Sequence, residues 1–269
     1  MHKIKTFYII LISLLSINFF AQISKSDSIE MAKFLEEENK MWDSICITQT
    51  KIAKEEISKG QLTLVIPKGM VTMYESDSEL DSILSHHNIK TISQGIFCTA
   101  PSDKQFCYSE LMNSEIEKKF GENFIELKRL EAEKAYTKNN INKIFSASDC
   151  DRNHSIYPFT KNLDDYLEQY DKDYFKTFTY PADYIHRKEN DLYSWTRVEF
   201  TLTINGEVKN LQVKSSFREA YNQKFAKEFN ENAIKFVKNI KWIPNKRSGI
   251  TVNSHEYVTF MYDHENWER

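Results

Sequence analysis

The chain has 269 residues and a formal net charge of −3, with 41% hydrophobic and 13% aromatic residues. That apolar content marks a globular chain, and the length suits one large domain or two ordinary ones. The near-neutral charge argues against a nucleic-acid binder, 6 Gly and 5 Pro exclude collagen-like and Pro-rich low-complexity chains, and no apolar run of about 18 residues exists to suggest a multi-span membrane protein.

Lys3 and Lys5 precede a mostly apolar stretch from Phe7 to Phe20, and Ala21 stands just before Gln22. A basic segment, a short apolar segment and a small residue in that order predict a signal peptide over 1–21. Phe19 is bulkier than is usual at the third position before such a cleavage site. The apolar segment is also short for a span, which takes about 20 residues. The expected location is therefore periplasmic or secreted; the alternative is a retained inner-membrane anchor facing the periplasm. Residues 22–150 carry 21 acids and 16 bases, whereas 151–269 carry 18 of each. That shift predicts a boundary near 150, with a mixed, helix-rich region of unassigned role before it.

Four cysteines follow the signal: Cys46, Cys98, Cys107 and Cys150. Export permits disulfides, and four cysteines allow three pairings. Cys98 and Cys107 enclose a short loop with Pro101 and Ser102, which makes them the easiest pair to close. No CxxC occurs, so neither a thioredoxin-like site nor a zinc ribbon is expected.

Ser28 to Lys59 lacks Pro and Gly, ends at Gly60, and carries Ile29, Leu35, Trp42, Ile45, Ile52 and Ile57 at roughly helical spacing, which predicts one long amphipathic helix. Leu62 to Ile66, Pro67-Lys68-Gly69 and Met70 to Tyr74 read as strand, turn and strand. Ser78 to His87 reads as a helix, Thr91 to Cys98 as a strand, and Tyr108 to Lys119 and Glu122 to Lys138 as helices split by Gly121. His86 and His87 project about 100° apart on a helix and make a poor metal pair. Glu55 and Glu56 lie on a charged face. No HExxH, GxSxG or P-loop pattern occurs, so neither an enzyme nor a cofactor is expected.

In the C-terminal part, Thr196, Val198, Phe200, Leu202 and Ile204 alternate with polar residues, as in a strand with one buried face. Asn205-Gly206 predicts a type I′ hairpin turn into a second strand, Val208 to Ser215. Phe225, Phe229, Ala233, Phe236, Val237 and Ile240 fall on one face of a helix that ends at Trp242-Ile243-Pro244. Asn245 to Gly249 reads as a basic loop and Val252 to Tyr262 as the last strand. The fold class is α+β: a three-stranded antiparallel sheet with one packed helix, its core including Phe200, Leu202, Phe229, Phe236 and Trp242.

TLTINGEVKNLQVKSS (201–216), NENAIKFVKNIKWIPNKRSGITV (230–252) and YVTFMY (257–262), with YPFTKNLDDYL (157–167) and FKTFTYPADY (175–184) upstream, resemble the C-terminal domain of TonB-type energy transducers of the Bacteroidota type. The resemblance implies capture of an extended segment of an outer-membrane, TonB-dependent receptor by strand addition. It implies that the last strand presents the edge, with Tyr257, Val258, Thr259, Phe260 and Met261 in its middle. Lys246 and Arg247, in the loop before it, would attract an acidic segment. Glu256 to Tyr262 contains neither Pro nor Lys, the usual guards of an edge, so the edge reads as open to a peptide or to a homodimer partner. Transducers of this type carry a retained membrane helix and a long Pro-rich spacer. This chain has a cleavable-looking signal and a folded-looking segment instead, which favours an exported binding module over an anchored transport component.

Overall fold

Fifty-seven residues without proline or glycine form the first helix, α1 (His2–Ser58), and Gly60 follows it at φ +74°. The computed structural model describes residues 2–69, 74–96, 102–151, 156–159, 163–188 and 191–263, with the side chains of 2–28, 102–103 and 163–168 left out. The expected apolar stripe of α1 is realised only in its C-terminal part. Trp42, Ile45, Ala53 and Ile57 turn inward, whereas Ile29, Leu35 and Ile52 are exposed. Among the described residues, no helix is long and apolar enough to cross a membrane.

The chain divides into two compact units, 1–129 and 130–269. In the first, β1 (Leu62–Lys68) is followed by α2 (Asp77–Ser85) and β2 (Ile89–Gly95), and the two strands pair in parallel from Leu62↔Ile89 to Lys68↔Gly95. β1 runs on through Pro67 and Lys68, which read as a turn in the sequence, and its partner among the described residues is the parallel β2, reached through α2. The physical clue is the unbroken run Leu62 to Ile66, buried on both faces as parallel strands are. Met70 to Met73, most of the predicted return strand, lie outside the described residues. Next come α3 (Ser102–Gln105) and α4 (Cys107–Phe120), then α5 (Phe124–Asn139), which crosses the unit boundary. α4 packs on α1 and β1, and α2 packs on β2.

That packing places Cys46 of α1 against Cys107 at the start of α4, and they form the disulfide, with Cα atoms 5.3 Å apart. The expected Cys98–Cys107 pair is thereby corrected. Proximity in sequence favoured Cys98, but helix packing decides which sulfurs meet. Cys98 lies outside the described residues, and Cys150 is a buried free thiol.

The second unit begins earlier than the charge shift near 150 suggested. β3 (Ile144–Ser146) pairs in parallel with the last strand and so belongs to the C-terminal sheet. After it come α6 (Leu163–Phe175), β4 (Trp195–Leu202), β5 (Val208–Ser216), α7 (Ala226–Asn239), the short pair β6 (Lys246–Arg247) and β7 (Ile250–Thr251), and β8 (Asn253–Met261). The sheet order is β3-β8-β4-β5. The three antiparallel strands read from the sequence are all present, joined by the short fourth strand and by a second helix, α6. The two helices and the inner sheet face enclose Tyr174, Val198, Phe200, Leu202, Phe229, Val237, Trp242, Phe260 and Tyr262. Phe236, expected among them, is only partly buried.

The β4–β5 turn departs from type I′. Gly206 N–H donates to Thr203 O at 2.9 Å and Thr203 N–H donates to Glu207 O at 2.9 Å. Of the loop residues only Gly206 has positive φ, +78°, as in a three-residue loop with glycine at the left-handed position. The two-residue turn with both φ positive occurs instead at Ser248-Gly249, between β6 and β7. There the Asp151 carboxylate accepts both turn N–H groups at 2.8 Å.

A Cβ added at Gly206 would stand 2.6 Å from the Trp242 carbonyl oxygen. Gly206→Ala is therefore expected to destabilise the C-terminal unit by about 2 kcal/mol or more, from left-handed strain and the backbone clash together. Asn205→Ala, without that clash, is expected to change stability by less than about 0.5 kcal/mol. Urea unfolding midpoints of the two variants check the difference.

The Cys46–Cys107 bridge closes a loop of sequence separation 61. In the chain-entropy description such a closure is worth about 4 kcal/mol. Replacing both cysteines by alanine is expected to lower the unfolding midpoint of residues 1–129 and to leave that of 130–269 unchanged. Hydrogen exchange resolved by unit measures both, and equal loss in the two units would contradict it.

Candidate functional site

β8 lies between β4 and β3, but β3 reaches only from Asn253 to His255. Beyond His255, no described strand pairs with its outer side. Thr259 uses that side differently: its N–H donates to the Tyr170 hydroxyl at 3.3 Å, and the same hydroxyl donates to Thr259 O at 3.2 Å. Since Thr259 faces away from β4, Tyr257 and Met261, two residues to either side, present their backbone groups outward as well. The edge expected to be open is thus covered at one end by β3 and capped at Thr259 by a tyrosine of α6.

The side chains of β8 divide by parity. Val258 and Phe260 point into the core, 1% and 0% exposed, and cannot meet a partner's side chains. Tyr257 and Met261 are exposed on the opposite face and Thr259 is half-buried there. On that face the Arg197 guanidinium lies 4.7 Å from the centre of the Tyr257 ring and 5.7 Å from Trp195, and its Nε donates to Thr259 Oγ1 at 3.1 Å. The opposite sheet edge, β5, carries Lys209 and Lys214 and a register shift near Asn210, which has φ +50°. These are features that discourage pairing.

The two bases expected to attract a partner separate. Lys246 is exposed. Arg247 is buried, paired with Glu133 at 3.2 Å and stacked 5.0 Å from Tyr136 and 4.8 Å from Phe145. It holds α5 and β3 to the β6–β7 pair and is withdrawn from the surface. A positive residue before a strand carries no sign of this in sequence, because the acid and rings it meets lie about a hundred residues upstream.

Between α6 and α7 opens a cleft of about 610 Å³. Tyr157, Tyr174, Phe178 and Phe236 form its apolar walls, and Asn232, Lys235 and Asp173 stand among them. Burial raises the Asp173 carboxyl, but hydrogen bonds from Lys176, Gln169 and Tyr157 outweigh it and hold the group below the ordinary carboxylate value. Neither this cleft nor the role of Tyr170 was visible in the sequence, since both depend on where α6 lies.

Among the described residues no cluster of three or more His, Cys, Asp or Glu could hold a metal ion. His87 instead packs edge-on against Phe120 and Phe124, at 5.6 and 5.0 Å. Glu55 pairs with Lys59, and Glu56 accepts from the Tyr108 hydroxyl. Burial, then the charge of Glu256, pushes the Cys150 thiol up to about 12, so it stays protonated and unreactive. Comparison with family models, with curated proteins and with solved structures returned no match to this chain.

Asp171 of α6 is a buried carboxyl whose Oδ1 meets no hydrogen-bond partner among the described residues, near Tyr174 and Tyr262. Burial alone raises it from 3.8 to about 8. An acid whose folded value is raised contributes most below its ordinary value, and that contribution is lost as pH rises through the folded value. Stability should therefore fall between pH 3.8 and about 8 on account of Asp171. Glu256, raised by burial, acts in the same direction. Asp171→Asn is expected to raise Tm at pH 8 and to reduce, without abolishing, the slope below it. Thermal melts at pH 4, 6 and 8 measure this, and an unchanged slope would refute it.

Proposed function

We propose that this is an exported, periplasmic or secreted, binding module similar to the C-terminal domain of TonB-type energy transducers. In this reading the C-terminal unit takes up an extended peptide of an envelope protein along the outer side of β8. The observation that carries the reading is the strand order: the last strand stands beside β4 with only the three residues of β3 beyond it. From Tyr257 to Met261 the edge has no strand partner among the described residues, no proline and no lysine. Backbone pairing there would supply affinity, while Tyr257, Met261 and the Arg197 guanidinium would read the partner's side chains. Lys246 remains as an exposed base; Arg247 has no part in the reading.

Tyr170 makes the proposal testable, because its hydroxyl occupies the backbone groups that an incoming strand would need. Tyr170→Phe is expected to speed amide exchange at Thr259 and to tighten binding of synthetic peptides covering the periplasm-facing segments of outer-membrane receptors. Thr259→Pro removes an N–H that points away from β4, so the fold should persist while peptide binding is lost. Circular dichroism checks the fold and fluorescence anisotropy the binding. A folded Thr259→Pro variant that binds the same peptides as tightly as the parent would overturn the proposal.

A further inference from the structure

The cleft between α6 and α7 is separate from the β8 edge and has its own chemistry. Its volume, about 610 Å³, lies within the range of about 300–1,000 Å³ typical of small-molecule sites. Its walls are rings: Tyr174 stacks on Phe260 beneath it at 3.9 Å, and Phe236 meets Phe260 edge-on at 5.5 Å. At the mouth, Phe159 is 69% exposed, yet it packs edge-on against Tyr157 at 5.3 Å. A phenyl ring standing in water beside an aromatic cleft offers a second wall for a flat ligand.

The polar groups are few and ordered. Asn232, Lys235 and Phe236 come from one side of α7, at offsets of three and four residues. Asp173, across the cleft, already accepts from Tyr157 at 2.9 Å and Gln169 at 3.1 Å and pairs with Lys176 at 2.7 Å, so its charge is answered. Lys235 forms no ion pair with any described residue. Among the described residues the uncompensated charge facing the cleft is a single ammonium, with the amides of Asn232 and Asn239 about one turn to either side. One ammonium flanked by amides suits a singly charged carboxylate; a phosphate would call for more positive charge, and a cation is disfavoured.

We infer that this cleft binds a flat apolar molecule bearing one carboxylate, with its ring against Phe159 and Phe236 and its carboxylate at Lys235 and Asn232. The inference does not depend on strand addition at β8, and its test does not involve that edge.

The test titrates the full chain with 3-phenylpropionate and with its neutral amide, 3-phenylpropanamide, following backbone and side-chain amide shifts of α7. Saturable shifts at Asn232, Lys235 and Phe236 are expected, with the carboxylate bound about threefold or more tightly than the amide, as a solvent-accessible ion pair allows. Lys235→Gln should erase that preference while leaving amide binding intact. Phe159→Ser should weaken both ligands. Both side chains are exposed, so both variants should fold. Shifts that do not saturate, equal binding of the two probes, or a preference that survives Lys235→Gln would each overturn the inference.

Discussion

A line of buried hydroxyls crosses the C-terminal unit and ties its layers together. Tyr262, at the end of β8, donates to Thr196 of β4 at 2.8 Å, and its oxygen lies 3.5 Å from the Tyr174 hydroxyl of α6. Thr196 meets Ser215 of β5 at 2.5 Å, and Ser215 donates to Asn230 of α7 at 2.6 Å. Five side chains thus connect both helices through three strand positions in a core otherwise made of rings and aliphatic groups. Each hydroxyl left unpaired there would cost about 1–3 kcal/mol. Sliding β8 against β4 by one residue would break the chain and also turn Val258 and Phe260 toward solvent. The network and the apolar pattern demand the same register, and that agreement places Tyr170 opposite Thr259.

The cover on β8 is built from two different attachments. Tyr170 caps Thr259 through one hydroxyl, a modest interaction that an incoming backbone could replace group for group. β3 is held more firmly. Phe145 is fully buried with Val252 and Cys150, and the Arg247 guanidinium stacks over it while pairing with Glu133. Lifting β3 would expose Phe145 and loosen Arg247, and a buried pair broken on one side costs about 3–5 kcal/mol.

The sequence made the period-2 strands and the 3.6-period face of α7 legible, and placed the end of α7 at Trp242-Ile243-Pro244, a few residues beyond Asn239 where it stops, because each is a local pattern with a local cause. Trp242 illustrates this: its indole N–H donates to Val237 O at 2.9 Å, closing the helix end that Pro244 forbids to continue. What could not be read depends on distant partners. β3 has three residues, too few for any periodicity, and only its pairing with Asn253 to His255 makes it a strand. Cys46 and Cys107 meet because α1 packs on α4, a fact that loop length does not contain. The Asn205-Gly206 turn was located correctly, but its type follows from the number of residues between the paired strands. At the candidate site, Tyr257 to Met261 read as one open edge, but Val258 and Phe260 turn into the core, and the cover from Tyr170 has no local signal. The alternation puts Tyr257 and Met261 outside, whereas Tyr170 acts from 89 positions away.

These unequal attachments limit what the proposed strand addition can be. With β3 anchored through Phe145 and Arg247, the receptive stretch runs only from Tyr257 to Met261. A peptide there would gain few backbone hydrogen bonds, each worth about 0.5–1.5 kcal/mol net, against the cost of ordering its own chain at about 1–2 kcal/mol per residue. Backbone pairing alone would leave almost no affinity. The difference has to come from side chains on the solvent-facing side of the sheet, where the Arg197 guanidinium lies over Tyr257 and bonds Thr259. A partner suited to this edge therefore brings an acidic or aromatic residue to meet Arg197, and its sequence, more than its extended shape, sets how tightly it is held.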